Sequence, residues 1–136
     1  MLVALLGLVA AAEVPSAHSL REDPVVAVMR ELALAIDGAD HDAPITVTYV
    51  DSLYENGEPL RGVTTRDGKI EIRAGEDEAR TLLTLIHEVA HAMTIDEWAH
   101  DLHGESWCEL YRSGVMELAA DHLKWASRRG CLIRWS

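Results

Sequence analysis

The stretch EDEARTLLTLIHEVAHAM, residues 76–93, carries the clearest helical pattern in this chain of 136 residues. Acidic residues gather at its start, where they complement the positive end of a helix dipole. Apolar side chains then recur with the spacing of one buried helix face: Leu82, Leu83, Leu85, Ile86, Val89, Ala90 and Met93. The stretch therefore predicts a long helix that packs against the core.

This predicted helix contains the motif His87-Glu88-Val89-Ala90-His91. Residues four apart lie on the same helix face, so two imidazoles so placed can reach one zinc ion through bonds of about 2.0–2.1 Å. Glu88 lies next to the first ligand and is rotated towards an open coordination position. There it can take a proton from a bound water and later pass it on. The motif predicts zinc ligands at His87 and His91 and a general base at Glu88.

A catalytic zinc needs a third protein ligand, and His103 is the best candidate. Gly104 follows it and lets the chain turn sharply into the next helix. Trp107 can then anchor that turn in the core. The sequence leaves three alternatives to His103 open: His100, Glu105 and Glu109.

The rest of the chain predicts a mixed fold. Asp23-Pro24 is typical of a helix start, and apolar spacing extends that helix over 24–37. Residues 45–50 alternate and are β-branched, which predicts a strand, and 61–75 predict a hairpin closed by Asp67-Gly68. A last helix is predicted from Ser106 to the Arg128-Arg129-Gly130 sequence. The order helix, strand, hairpin, helix, helix predicts an α+β fold.

The sequence divides into a short apolar N-terminal segment, residues 1–22, and a single predicted domain, residues 23–136. The apolar run from Leu2 to Ala12 is shorter than the roughly 20 residues of a membrane span, so we expect no stable span. It fits either a buried helix or a signal peptide over 1–17, although no basic residue precedes Arg21. We expect a cytoplasmic protein, or a secreted one if residues 1–17 are a signal peptide.

Charge and cysteine content restrict the partners. A net charge of −11 argues against nucleic acid, whose binding depends on clustered Lys and Arg, and favours basic or neutral partners. The two cysteines, Cys108 and Cys131, form no Cys-x-x-Cys motif. We expect two buried thiols, or one disulfide if the protein is exported.

His-Glu-x-x-His, eleven intervening residues and then His-Gly-x-x-aromatic resemble the SprT-like family of zinc metallopeptidases in the zincin clan. The likeness covers about Ile45 to Trp107. It implies a zincin-like fold in which His87, His91 and His103 bind zinc and Glu88 is the general base. Family members that act on DNA-bound proteins carry basic or zinc-ribbon modules. This chain has neither and resembles the minimal catalytic core.

The sequence thus predicts a zinc-dependent metallopeptidase, an endopeptidase acting on a peptide or protein substrate. The resemblance also makes Lys69–Ile72 a candidate edge strand for pairing with that substrate, and an ordinary core hairpin is the alternative. Tyr111 and His100 are candidate donors to the transition state. Two alternatives remain, a non-catalytic zincin-fold binding module and a regulatory peptidase that cuts one partner protein.

Overall fold

The computed structural model describes residues 21–75 and 77–126, of which residues 123–125 are described by their backbone alone. Within them, three α-helices and two small sheets confirm the predicted α+β class. The α-helices are α1, Pro24–Ala33; α2, Glu78–Ala92; and α3, Glu105–Leu118. The strands are β1, Thr46–Val50; β2, Tyr54–Glu55; β3, Glu58–Pro59; β4, Gly62–Thr64; and β5, Lys69–Arg73. Two 3-10 helices follow α2 and α3, at Ile95–Glu97 and Ala120–Trp125.

The first helix begins as predicted but ends early. The Asp23 carboxylate accepts a hydrogen bond from the backbone N–H of Val25 at 2.8 Å and caps the helix. The helix ends at Ala33 rather than at residue 37. Beyond it the chain tightens into turns, in which the Ile36 N–H bonds the Ala33 carbonyl at 3.1 Å. The prediction overran because the apolar spacing continues through Ile36, which is buried by this turn.

The larger sheet has the strand order β1-β5-β4, with β1 parallel and β4 antiparallel to β5. The predicted hairpin is confirmed, and Gly68 at its turn has a φ of +87°. The proposed edge strand Lys69–Ile72 is wrong, because β5 is the central strand. Its alternation buries Ile70 and Ile72 beneath α2, and hydrogen bonds occupy both of its sides. The edge strand on the hairpin side is β4.

The core lies where α2 packs against the sheet, α1 and α3. Its largest fully buried side chains include Met29 from α1, Ile86 from α2 and Trp107 from α3. Gly114 lets α3 approach closely, because a Cβ atom there would lie 2.6 Å from Met29 Sδ and 2.8 Å from Ile86 Cγ2. The glycine is therefore a packing requirement of the three-helix contact.

Replacing Gly114 with valine should lower the free energy of unfolding by about 1–3 kcal/mol, because added methyl groups overpack a filled core. Urea denaturation measures the change. Ser113→Val is the control, since it adds a branched side chain at the preceding, partly exposed position of the same helix. Equal losses in the two variants would show that a branched side chain anywhere in this turn of α3 has the same cost, and that the contact with Met29 and Ile86 does not set the effect.

The end of the fold differs from the prediction. The last α-helix stops at Leu118, and Ala119, with φ −146° and ψ 35°, leaves the helical region before the following 3-10 helix. The predicted end near residues 128–130 is therefore wrong, because the same apolar spacing is compatible with two helices broken at Ala119. Residues 1–20 and 127–136 lie outside the described residues. In the described part, no helix has the length and apolar character to cross a bilayer.

Cys108 is half-buried on α3 and disulfide-bonded, so the expectation of an unpaired thiol is wrong for this residue. The other cysteine of the sequence, Cys131, lies outside the described residues. Disulfide formation depends on the separation and orientation of two Cα–Cβ bonds, which a sequence pattern does not contain.

Candidate metal centre

Three imidazoles meet at the end of α2. The ligand-type nitrogen atoms of His87, His91 and His103 all lie within 4.8 Å of one another. The Nε2 atoms of His87 and His91 are 3.2 Å apart. Two nitrogens bound to one tetrahedral zinc ion through 2.0–2.1 Å bonds would be separated by about 3.3 Å. The donor set and the spacing of the first two imidazoles therefore fit a zinc ion.

The helix itself brings the first two imidazoles together. The Asp77 carboxylate accepts a hydrogen bond from the Arg80 N–H at 2.9 Å and fixes the first turn of α2. From there the helix runs unbroken to Ala92, so His87 and His91 lie one turn apart on the same face. Their side chains emerge at the boundary between the buried core and the surface.

The third imidazole arrives on the turn between the 3-10 helix Ile95–Glu97 and α3. The His103 N–H donates to Asp101 Oδ1 at 3.0 Å, and Gly104 is extended just before the first residue of α3. The imidazole of His103 lies 4.8 Å from that of His91 and 5.3 Å from that of His87, between ring centroids. The three alternative ligands lie outside this group and are exposed: His100, Glu105 and Glu109.

Trp107 forms the floor of the site. Its indole is fully buried and contacts all three histidine rings, with centroid distances of 4.8 Å to His87, 5.3 Å to His91 and 4.5 Å to His103. Its Nε1–H donates to the His87 carbonyl at 3.2 Å. Tyr111 stacks on the indole, with ring centroids 4.9 Å apart. One side chain from α3 thus supports imidazoles from two separate segments.

Burial keeps the candidate ligand His91 in the form that binds metals. The pKa of His91 is lowered to about 4, chiefly because burial penalises the charged imidazole. Repulsion from His103 also lowers the pKa of His91, and the backbone of Leu102 raises it by a smaller amount. A neutral imidazole has the lone pair that a metal ion requires.

Glu88 is buried beside this cluster, with 8% of its surface exposed. The Thr64 hydroxyl donates to Glu88 Oε1 at 2.7 Å and lies 3.1 Å from the Glu88 carbonyl oxygen. Burial raises the pKa of the Glu88 carboxyl, and the hydrogen bond from Thr64 partly opposes that rise. The carboxylate is therefore held in one orientation and has a raised proton affinity, two properties of a general base.

Edge strand β4 lies directly over this part of α2. Gly62 permits the approach, because a Cβ atom there would lie 3.0 Å from Glu88 Cγ and 2.8 Å from Thr84 Cγ2. Between the strand and the helix opens a cleft of about 580 Å³ that reaches His87, Glu88 and Tyr111. The cleft is large enough for part of an extended peptide. His100, the other candidate donor, is exposed and does not line it.

Three residues near the site carry no motif in the sequence. Thr64 holds Glu88, Trp98 donates its Nε1–H to the His91 carbonyl at 3.1 Å, and Arg80 lines the cleft. Trp98 lies beyond the end of α2 at Ala92, so helical spacing does not predict its contact with His91. The contact between Thr64 and Glu88 spans 24 residues and depends on how the sheet meets the helix.

Comparisons of the chain with protein-family models, curated proteins and solved structures found no significant match. The resemblance to the SprT-like family stays a prediction drawn from the motif.

Proposed function

We propose that this protein is a zinc-dependent metallopeptidase that hydrolyses peptide bonds, with His87, His91 and His103 as zinc ligands and Glu88 as general base. One observation carries the proposal: a buried, oriented carboxylate lies beside three converging imidazoles. A zinc ion that only joins secondary-structure elements needs no such carboxylate. Burying one is unfavourable, so its presence favours catalysis over the non-catalytic binding module.

A zincin-like fold of the minimal SprT-like kind belongs to this proposal. It is supported by the α+β order of the chain and by the motif helix α2 packed beneath a small mixed sheet. It is also supported by the position of His103, which arrives on the turn after that helix. A zinc ribbon is not part of the proposal, since the chain has two cysteines in all.

The residues of the chain divide the reaction between them. Bound zinc would supply the Lewis acid that activates a water and polarises the peptide carbonyl. Glu88 accepts the proton of the attacking water and delivers it to the leaving amine. Thr64 keeps the carboxylate facing the cleft, and Trp107 keeps the three imidazoles from turning away. Edge strand β4 offers backbone groups for an extended peptide.

Zinc content per chain, measured by elemental mass spectrometry, tests the ligand set. We expect about one zinc in the wild type and a clear loss in His103→Ala, because three protein ligands are required. His100→Ala is the matched control, since this exposed histidine lies three residues earlier and outside the cluster. Equal zinc in all three proteins would remove His103 from the site. A folded wild-type protein without zinc would refute the proposed metallopeptidase function.

Hydrolysis of an unfolded generic protein, with and without a chelator, tests the reaction. Cleavage that the chelator stops and added zinc restores is the expected result. Zinc binding without cleavage of any protein would favour the binding module. Cleavage confined to one partner protein would favour the regulatory peptidase.

Thr64→Val should lower kcat by about tenfold while zinc content stays unchanged, because Glu88 then loses the hydrogen bond that orients it. Steady-state kinetics on one peptide measures the effect. Thr48→Val is the control, since it makes the same chemical change at an exposed position of β1. Equal kinetics in wild type and Thr64→Val would mean that the helix alone positions the carboxylate.

A further inference from the structure

The cleft beside the metal centre has a basic wall in an acidic protein. The chain has a net charge of −11, yet Arg61, Arg73 and Arg80 line this cleft. Glu88 is the one carboxylate among the lining residues. Guanidinium groups therefore outnumber carboxylates among the residues that line the cleft, and none of the three takes part in the proposed hydrolysis.

Arg80 is placed to act on a bound peptide. It is partly buried in the first turn of α2, on the same helix face as Thr84 and His87, and it makes no ion pair with the described residues. Seven residues of α-helix separate it from His87, or about 10 Å along the axis at a 1.5 Å rise. An extended peptide advances about 3.3 Å per residue, so this distance corresponds to about three peptide residues.

We propose that this basic wall, with Arg80 as its main contact, binds a carboxylate of the peptide substrate about three residues from the bond that is cut. The inference rests on the proposed peptidase function and specifies its substrate class. A guanidinium presents paired N–H donors that match the two oxygens of a carboxylate. A neutral amide side chain of the peptide has a single oxygen and no charge, so it is a weaker partner. Arg80 is then a residue that determines specificity.

The acidic surface of the protein does not cancel this preference. At physiological ionic strength, charges further apart than about 8 Å are largely screened, whereas a direct guanidinium–carboxylate contact is within 4 Å. Distant acidic residues therefore slow the approach of an acidic peptide more than they weaken its contact with Arg80. The selectivity of the cleft is set by the groups that line it.

Peptide binding to zinc-loaded Glu88→Gln protein tests the inference without requiring turnover. Fluorescence anisotropy would compare three labelled octapeptides: one with glutamate at alternate positions and an amidated C-terminus, the glutamine equivalent, and the glutamine equivalent with a free C-terminal carboxylate. We expect the glutamate peptide, or the free-carboxylate peptide, to bind about tenfold more tightly than the amidated glutamine peptide. This is the difference expected for one charge-assisted contact. The better of the two shows whether a side chain or the C-terminus supplies the carboxylate.

Adding Arg80→Gln to the Glu88→Gln protein should remove the preference, and Arg80→Lys should retain part of it. Lys69→Gln is the charge-matched control, because Lys69 is exposed and does not line the cleft. Equal binding of all three peptides, binding of none, or a preference that survives Arg80→Gln would overturn the inference. If the preference holds while the wild type cleaves no peptide, the binding site stands and the proposed peptidase activity fails.

Discussion

Glu88→Gln should lower kcat for peptide hydrolysis by about 10²- to 10⁴-fold and leave the zinc content of the chain unchanged. This range is the usual contribution of a general base. Glutamine has nearly the same shape and still offers an oxygen to the Thr64 hydroxyl, which donates to Glu88 at 2.7 Å in the wild type. The imidazoles of His87 and His91 lie on the same helix and are not disturbed. Parallel measurements of kcat and of zinc by elemental mass spectrometry check both parts.

The same substitution should not destabilise the fold. Burial raises the pKa of the Glu88 carboxyl, which means that the site disfavours the ionised form. A neutral glutamine avoids that penalty, so its urea midpoint should equal or exceed that of the wild type. Glu78→Gln provides the control, since it makes the same change at an exposed position in the first turn of α2. A Glu88→Gln protein that keeps wild-type kcat would exclude Glu88 as the base.

The motif helix was predictable because its signals are local. Acidic residues at the start, apolar side chains at helical spacing and two histidines four apart all fall within residues 76–93. The helix forms over Glu78–Ala92, within three residues of that prediction. Placing His87, Glu88 and His91 on neighbouring faces follows from helix geometry alone.

The sequence favours His103 as the third ligand but does not show that its imidazole reaches those of His87 and His91. His100, His103, Glu105 and Glu109 all follow the motif helix within one short segment, and a spacing does not say which side chain turns inwards. The structure brings His103 inwards because Trp107, fully buried on α3, packs against it. That packing depends on where α3 meets α2, which is a tertiary property.

Long-range contacts also explain the errors. The choice of β5 as edge strand failed because β1 pairs with it in parallel from 23 residues earlier, as in the pair Thr46 and Lys69. Parallel pairing leaves no local turn signal. The basic cleft was hidden for the same reason, since Arg61, Arg73 and Arg80 come from three different segments and meet only in the folded chain.

Trp107→Ala should lower the free energy of unfolding by about 3–5 kcal/mol, the range for removing a large aromatic side chain from a core. The indole is fully buried and contacts four rings, those of His87, His91, His103 and Tyr111. Its loss removes the common support of imidazoles that come from two segments. Zinc affinity should therefore fall by about 10- to 100-fold, as it does when groups that orient metal ligands are removed.

Urea denaturation of the metal-depleted protein measures the packing loss, and competition with a chromophoric chelator measures the zinc affinity. Trp98→Ala is the matched control, because Trp98 also donates its Nε1–H to an α2 carbonyl but contacts only one of the three imidazoles, that of His91 at 6.2 Å. We expect the control to lose less of both quantities, since it is only partly buried. If Trp98→Ala weakened zinc binding as much as Trp107→Ala, the C-terminal end of α2 would hold the imidazoles in place. The packing of Trp107 against them would then not be the cause.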